Sequence, residues 1–418
     1  MRVLLITLPN EGEPRDYTTP EHFSVGRLRY IPLGVLAVAS GIDPQHEVRI
    51  LDSASMGLSI DETLAVIDEW DPDVVGMTAT IGTSYAMKRL LSGIKRAKKV
   101  VGGPHATHFS DAIRQLGADA IFQHDADRSF NAWLSSGAPD GLFRDHVDDL
   151  DTLPMPRLEL LDLDDYAISD PSKVLLKNSG LRFPMYSSKG CPFHCVFCDT
   201  QERGFRFKSP VRVVDEMVHA LDHGAATVHL MDDCFNVKRS RVVAICDEIR
   251  KRNLSITWSA RGRAHIDLET ATALREAGCE RLHVGVETLD PDLLHFVNKS
   301  ITLDQMRRFF SICRQVGIQT LGYFIIGFPG ETTAYRKALP EMIRELGVDI
   351  PFFNILYPLP HSEIYDRWVA EGIFPKDFWS QFARDPQPGF QPPAYAPPDL
   401  HQELLDTAEW YVDEFYQP

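Results

Sequence analysis

Cys191, Cys195 and Cys198 stand in the stretch Lys189-Gly-Cys-Pro-Phe-His-Cys-Val-Phe-Cys198. This Cys-x3-Cys-x2-Cys spacing places three thiolates on one short loop and withholds a fourth. Electron-transfer clusters usually take four cysteines, and structural zinc takes four Cys or His ligands. Three thiolates leave one iron of a [4Fe–4S] cluster without a protein ligand, so a small molecule can coordinate there. The spacing therefore points to a cluster that does chemistry on a bound molecule. The bland alternative is three buried structural thiols, since free cysteine is a common core residue. Against it, the triplet directly follows a strand-like stretch at 185–188 and a Lys-Gly turn.

Such a loop needs a rigid frame. Strand-like runs recur after the cysteines at 227–231, 256–260, 281–286, 319–326 and 350–357. Helical patterns at 211–222, 239–252, 268–277 and 303–316 separate them. Six β/α units in one direction predict a partial (β/α)6 barrel, whose reactive groups sit on the loops after the strands. Before residue 140 a second alternation is visible. Apolar runs at 2–8, 47–52, 74–80, 99–103 and 118–122 flank helical patterns such as 84–97. Continuous apolar strands between helices predict a doubly wound parallel sheet with its ligand site at the carboxyl ends of the strands. The expected organisation is a 1–140 α/β domain, a 141–180 connector rich in Asp and interrupted by Pro154 and Pro156, a 181–370 partial barrel, and a 371–418 covering segment. That last segment reads as a proline-rich stretch followed by an amphipathic helix over about 399–415.

The 418 residues suffice for two or three domains with proper cores, and 44% hydrophobic and 24% charged residues are ordinary for a globular protein. A formal charge of −16 argues against a nucleic-acid surface. No apolar run reaches the roughly 18 residues of a membrane span, and the N-terminal run reads as a strand and not as a signal peptide. Seven cysteines, four of them dispersed as Cys234, Cys246, Cys279 and Cys313, make no disulfide framework. A reducing cytoplasm is the expected compartment.

Placed after the first barrel strand, the cysteine triplet resembles the signature of the radical S-adenosylmethionine (SAM) enzymes, and the likeness covers about residues 185–365. The resemblance implies a cluster on Cys191, Cys195 and Cys198 with SAM on the open iron. It implies SAM contacts from Phe197, from Asp232 and Asp233 in Met-Asp-Asp-Cys-Phe, and from Arg261 and Arg263 in Ser-Ala-Arg-Gly-Arg. It further implies contacts from Glu287 in His-Val-Gly-Val-Glu-Thr and from Gly327 in Gly-Phe-Pro-Gly-Glu-Thr. Ordinary alternatives stand beside these: Asp232 and Asp233 as a solvated helix start, Arg261 and Arg263 as salt-bridged loop residues. In this family an electron cleaves the sulfonium to methionine and a 5′-deoxyadenosyl radical, and the protein supplies binding, orientation and exclusion of competing reactions. A flavodoxin- or ferredoxin-type donor is the implied partner.

The N-terminal domain resembles the cobalamin-binding domain joined to one subgroup of these enzymes, through Ile31-Pro-Leu-Gly-Val-Leu36, Pro72-Asp-Val-Val-Gly-Met-Thr78 and Val100-Val-Gly-Gly-Pro-His-Ala-Thr107. The resemblance implies cobalamin near Thr78, Thr80, Gly102, Gly103, Pro104 and His105, the last as part of a backbone feature and not a metal ligand. Two departures matter. Ala54 stands where standalone cobalamin modules carry the cobalt-ligating histidine, and His124-Asp-Ala-Asp-Arg128 replaces a Gly-Glu-Gly-Glu run. The implied function is cobalamin-dependent C-methylation of a small metabolite. The alternatives are a cobalamin-independent radical isomerase, epimerase, dehydratase, deoxygenase or cyclase with a vestigial N-terminal domain, or a non-catalytic cobalamin- or SAM-binding protein. Methylthiolation of transfer RNA is set aside, because no cysteine precedes Cys191. His361, in Leu-Pro-His-Ser-Glu, either faces the substrate or caps the final helix.

Overall fold

The computed structural model describes residues 1–12, 30–168, 180–200, 204–390 and 398–416, with the side chains of 398 and 399 left aside. The chain divides into two compact units. In the first, β1 (Arg2–Thr7), β2 (Glu47–Asp52), β3 (Val74–Thr78), β4 (Lys98–Gly102), β5 (Ala120–His124) and β6 (Gly141–Asp145) form one six-stranded sheet in the order β2-β1-β3-β4-β5-β6. Every pairing is parallel. The period of two along each strand explains the continuous apolar runs. Leu4, Ile6, Val75, Met77, Val101 and Ile121 enter one core. Val3, Leu5, Val74, Val100, Ala120 and Phe122 enter the other, on the opposite face.

Strand β6 corrects the sequence reading, which began a connector at 141. Its burial alternates between intermediate and exposed positions, as an edge strand's does, and the charged Arg144 and Asp145 hide it among connector residues. Residues 150–166 of that segment carry short 3-10 turns on the same unit, where the Arg157 amide donates to Ser40 Oγ at 2.9 Å and the Tyr166 hydroxyl to Asp52 at 2.8 Å, and residues 169–179 lie outside the described residues. Residues 372–390 also cluster with this unit rather than covering the barrel.

The second unit holds a two-residue edge β7 (Ala167–Ile168), then β8 (Gly180–Met185), a small antiparallel pair β9 (Ser188–Lys189) and β10 (Arg206–Phe207), and β11 (Ala225–Leu230), β12 (Trp258–Arg263), β13 (Cys279–Glu287), β14 (Gln319–Ile326) and β15 (Ile350–Ile355). The main sheet runs β15-β14-β13-β12-β11-β8-β7, with only β7 antiparallel. Its first barrel strand lies earlier than expected: β8 ends at Met185, and the predicted 185–188 stretch spans its last residue, the two-residue link 186–187 and the first residue of β9. Helices 210–222, 239–251, 268–276, 303–316 and 333–346 alternate with the strands. Ser209, Asp267, Thr302 and Thr332 cap four of them by accepting an N–H in the first turn. The C-terminal helix, Pro398–Tyr416, lies on β15: the Tyr411 ring stands 4.5 Å from Phe353, and its hydroxyl donates to the Arg336 carbonyl. Among the described residues no helix is long and apolar enough to cross a membrane.

Candidate active site

Alternation along the barrel strands decides which side chains meet inside. On β12, Trp258 and Ala260 face the helices while Ser259, Arg261 and Arg263 share the other face; on β13 the same parity groups Arg281, His283, Gly285 and Glu287. A cavity of about 300 Å³ opens on that inner face, and Cys191, Cys195, Cys198, Asp233, Arg261 and Glu287 are among its lining residues.

The cysteine loop is fastened from several directions. Gly190, at φ +82°, turns the chain out of β9, and its amide donates to Asp233 at 3.0 Å. The Val196 amide donates to the Val297 carbonyl (3.1 Å), the Asn298 side chain to the His194 carbonyl (2.9 Å), and the Ile364 amide to the Val196 carbonyl (2.9 Å). All three thiols are half-buried and unbridged. The Cys191 thiol is pushed down to about 6, chiefly by a hydrogen bond from the Cys234 thiol, with the Phe193 amide assisting against burial. Burial raises Cys198, against a hydrogen bond with Thr200. Three half-buried thiols in one cavity lining fit a cluster held by three cysteines.

The two predicted acids part company. Asp232 is 1% exposed and accepts four hydrogen bonds, from the amides and hydroxyls of Ser187 and Ser188. Arg241 donates to the Ser187 carbonyl and hydroxyl at 2.6 and 2.7 Å, completing a buried knot beneath the cysteine loop. A carboxylate so occupied holds the loop in place, although Asp232 also lines the cavity. Asp233 is exposed on the cavity wall.

Arg261 and Arg263 line the cavity and have no carboxylate partner among the described residues. Asn236 clips their strand end: its Oδ1 accepts from the Arg263 amide (2.8 Å) and its Nδ2 donates to the Arg263 carbonyl (2.9 Å). The Arg263 guanidinium lies 3.9 Å over the Phe193 ring. Buried Arg261 Nε, Arg263 Nη2 and His283 Nε2 have no hydrogen-bond partner, a rare state for buried donors. Glu287, 8% exposed and at φ +67°, pairs with Lys299 at 2.6 Å, and Gly285 leaves the space, since a Cβ there would stand 2.1 Å from the carboxylate.

Of the other expected residues, Phe197 lines the cavity. Gly327 does not: at φ +91° it packs on Leu404, and its amide donates to Glu331 at 3.1 Å. His361 is exposed and outside the cavity, and the helix cap is Ser362, which accepts from Tyr365. Lys299, His283, Tyr323 and Cys234 line the cavity without having been singled out in the sequence. Polar residues at every second position of β12 and β13 were the available signal, because a strand buried on both faces is normally apolar throughout.

In the first unit, the expected ligand residues gather at the carboxyl ends of β3 and β4. The Ala79 amide donates to the Gly102 carbonyl and the His105 amide to the Ala79 carbonyl. Gly103 sits at φ +91°, where a Cβ would stand 2.6 Å from Thr78 Oγ1, while a Cβ on Gly102 would meet nothing closer than 3.9 Å. Thr80 exchanges hydrogen bonds with Thr83. Pro104 opens a short helix, and His105 is buried with neither ring nitrogen partnered and its pKa lowered to about 4, chiefly by burial. It offers no accessible metal ligand. Asp52 accepts from Thr7 and Tyr166, and Ala54 follows in a one-turn helix. His124 adopts φ +61°, the left-handed conformation a glycine would supply, so the loop after β5 keeps that turn without one. Open backbone at Gly102 beside a parallel-sheet edge fits a bulky ligand arm, with no histidine at position 54 to reach its metal.

Residues 185–343 match the family described as the Radical SAM superfamily, and residues 25–133 match the B12 binding domain. The chain is 28% identical over 382 residues to the uncharacterized methyltransferase PH0819 of Pyrococcus horikoshii, covering 84% of this chain and 81% of that protein. It is 27% identical to the anaerobic magnesium-protoporphyrin IX monomethyl ester cyclase of Rubrivivax gelatinosus, covering 77% of this chain and 63% of that one. In fold it is similar to the cobalamin-dependent S-adenosylmethionine radical enzyme OxsB with aqua-cobalamin and S-adenosylmethionine bound, at a TM-score of 0.71 and 15% identity over 99% of this chain and 66% of that chain.

Proposed function

We propose that the chain, whose residues 185–343 match the Radical SAM superfamily and whose residues 25–133 match the B12 binding domain, is a radical SAM methyltransferase transferring a methyl group to carbon of a small molecule. The observation that carries this reading is the coexistence of three half-buried thiols on a cavity with unpartnered cationic donors and a separate sheet edge open at Gly102. When bound, the cluster on Cys191, Cys195 and Cys198 supplies the electron that cleaves SAM, and cobalamin supplies the methyl carrier.

The chain's own residues do the rest. Asp233 receives the methionine ammonium, and Arg263, stacked beside Cys191's loop, receives the carboxylate, a charge-assisted pair stronger than a neutral hydrogen bond. Asp232 holds the loop and not the cofactor. Glu287 is held in place by Lys299 and would offer its carboxyl group to a ribose hydroxyl of the cofactor. Phe193 and Phe197 keep the cavity wall dry, which strengthens each of these contacts. A flavodoxin- or ferredoxin-type reductant in a reducing cytoplasm completes the reading. The likeness to the cyclase favours a second one, ring closure by radical chemistry on the same cavity.

Anaerobic reconstitution followed by chromatography tests the proposal. Dithionite-reduced protein should convert SAM to 5′-deoxyadenosine, and replacing all three cysteines by alanine should abolish iron loading. Spectra after desalting should show retained cobalamin. Cleavage without retained cobalamin leaves the ring-closure reading in front, and a loaded cluster that never yields deoxyadenosine refutes both.

A further inference from the structure

The strand register orders the inner face by depth. Arg263 lies opposite Gly285 on β13, and Gly285 lies opposite Tyr323 on β14. Arg261 lies opposite His283, one inward-facing pair further from the carboxyl ends and from the cysteine loop. At that depth His283, 5% exposed, has its Nδ1 3.2 Å from the Tyr323 hydroxyl, while its Nε2 is buried without a partner. Behind it stands His229, with ring centroids 4.7 Å apart and its own Nδ1 2.6 Å from Ser259 Oγ. Burial, followed by the neighbouring Arg182, holds both imidazoles neutral, well below the usual histidine range.

The cavity's cationic donors are not all paired by protein carboxylates among the described residues. Among its described acids, Asp232 is filled by two amides and two hydroxyls, Glu287 is neutralised by Lys299, and Asp233 faces the cysteine loop. On the basic side, Arg261 and Arg263 have no carboxylate partner among the described residues. In the reading given above, the single carboxylate of SAM satisfies Arg263. Arg261 is then left as a partly desolvated cation with a buried, unpartnered Nε, a costly arrangement unless a bound anion completes it. With the tyrosine hydroxyl as donor to His283 Nδ1, the arrangement the subsite needs, the ring proton sits on Nε2 and makes a second donor beside the first.

We propose that Arg261, His283 and Tyr323 form the substrate subsite of this cavity and that it takes an oxyanion: a carboxylate, phosphate or phosphonate group carried by the molecule to be modified. The subsite rests on the radical SAM reading of the same cavity. A guanidinium matches the planar fork of such groups, and the neutral His283 adds a donor without adding charge. The anion anchors the substrate on the floor, and the carbon to be attacked stands above it toward the SAM site. Compounds whose only polar groups are neutral leave Arg261 unpaired and are rejected.

The test uses full-length, cluster-reconstituted protein saturated with SAM, and ligand-observed NMR with three probes of like shape: benzoate, phenylphosphonate and the neutral benzamide. Binding of at least one anionic probe at millimolar concentration, with benzamide at least tenfold weaker, is expected, and the stronger of the two anions identifies the substrate's group. Arg261→Met should abolish that binding. Tyr323→Phe, a milder change that keeps the ring, should weaken it about tenfold while leaving SAM affinity as in the wild type. Benzamide binding as well as both anions, or an unchanged anion affinity in both variants, overturns the subsite. Deoxyadenosine formation measured on the same samples separates the two readings. Its presence alongside indifferent probes sinks the subsite alone, and its absence from well-loaded protein sinks the radical reading beneath it.

Discussion

Replacing Asp232 and replacing Asp233 should have opposite consequences, although the two are neighbours in sequence. Asp232→Ala strands two amides and two hydroxyls of Ser187 and Ser188, whose bonds to the carboxylate run from 2.5 to 3.1 Å. It also removes the charge that offsets Arg241, whose pKa burial already lowers. Breaking a buried, fully hydrogen-bonded charge by deleting one partner costs about 3–5 kcal/mol. In a unit of this size that corresponds to roughly 6–20 °C in melting temperature. Asp233→Ala removes the hydrogen bond from the Gly190 amide at an exposed position, where such a bond is worth about 1 kcal/mol, or roughly 2–4 °C in melting. Anaerobic calorimetry of the cluster-free proteins gives the stability difference, and titration of SAM into reconstituted proteins gives the affinity. The expected pattern is a large melting shift for Asp232→Ala and an affinity loss at nearly unchanged melting for Asp233→Ala. Equal melting shifts, or an Asp232→Ala protein that melts like wild type and only loses SAM, would refute the division of labour.

Lys299→Met should leave Glu287 buried without its partner, destabilising by about 3–5 kcal/mol in urea titrations; adding Glu287→Gln should recover most of that loss, and a double variant no better than the single one argues against the pair. Gly103→Ala forces a Cβ to 2.6 Å from Thr78 Oγ1 at φ +91° and should cost about 1–3 kcal/mol, whereas Gly102→Ala, with 3.9 Å to spare, should be nearly neutral in melting yet reduce cobalamin retention. For His105 the folded pKa is about 4, below the ordinary 6.5, so the unfolded chain binds the extra proton first. The stability from its neutral burial is therefore present above pH 6.5 and lost as pH falls from 6.5 toward 4, by about 3 kcal/mol over that window. His105→Phe should flatten this slope in melting curves of the cluster-free protein, and a parallel slope removes His105 as its source.

Periodic patterns were legible where burial is simple. The inner strands β1 and β3 read directly, because both faces of the sheet are covered there and each is a near-continuous apolar run, and the edge strand β2 still shows the apolar pair Ile50-Leu51. Strand β6 was not, since an edge strand needs only half its residues apolar and Arg144 and Asp145 mask it. The cysteine triplet was legible because its spacing has few structural uses. Asp232 and Asp233 could not be told apart in sequence, for their roles depend on Ser187 and Ser188 some 45 residues earlier. Gly327 drew its expected role from a motif, yet its conformation answers to Leu404 on the last helix. The loss of glycine after β5 looked damaging in sequence, but His124 takes the left-handed turn itself, at a cost of order 1 kcal/mol that a well-held loop can bear. Lys299 escaped notice because nothing local marks a lysine as the partner of a glutamate twelve residues before it.

The fastening of the cysteine loop has a consequence for how the protein is made. The carbonyls of His194 and Val196 are held by Asn298 and by Ile364, while Val297 accepts the Val196 amide. At ribosomal rates of about 5–20 residues per second, the stretch from Cys198 to Ile364 takes roughly 8–33 s to emerge. Throughout that interval the three thiols leave the ribosome on a loop lacking its later anchors, open to stray metals and oxidants. Iron–sulfur assembly on this chain is accordingly expected to follow completion of the barrel, and yields of loaded protein should fall under conditions that lengthen this interval, such as slow or paused elongation.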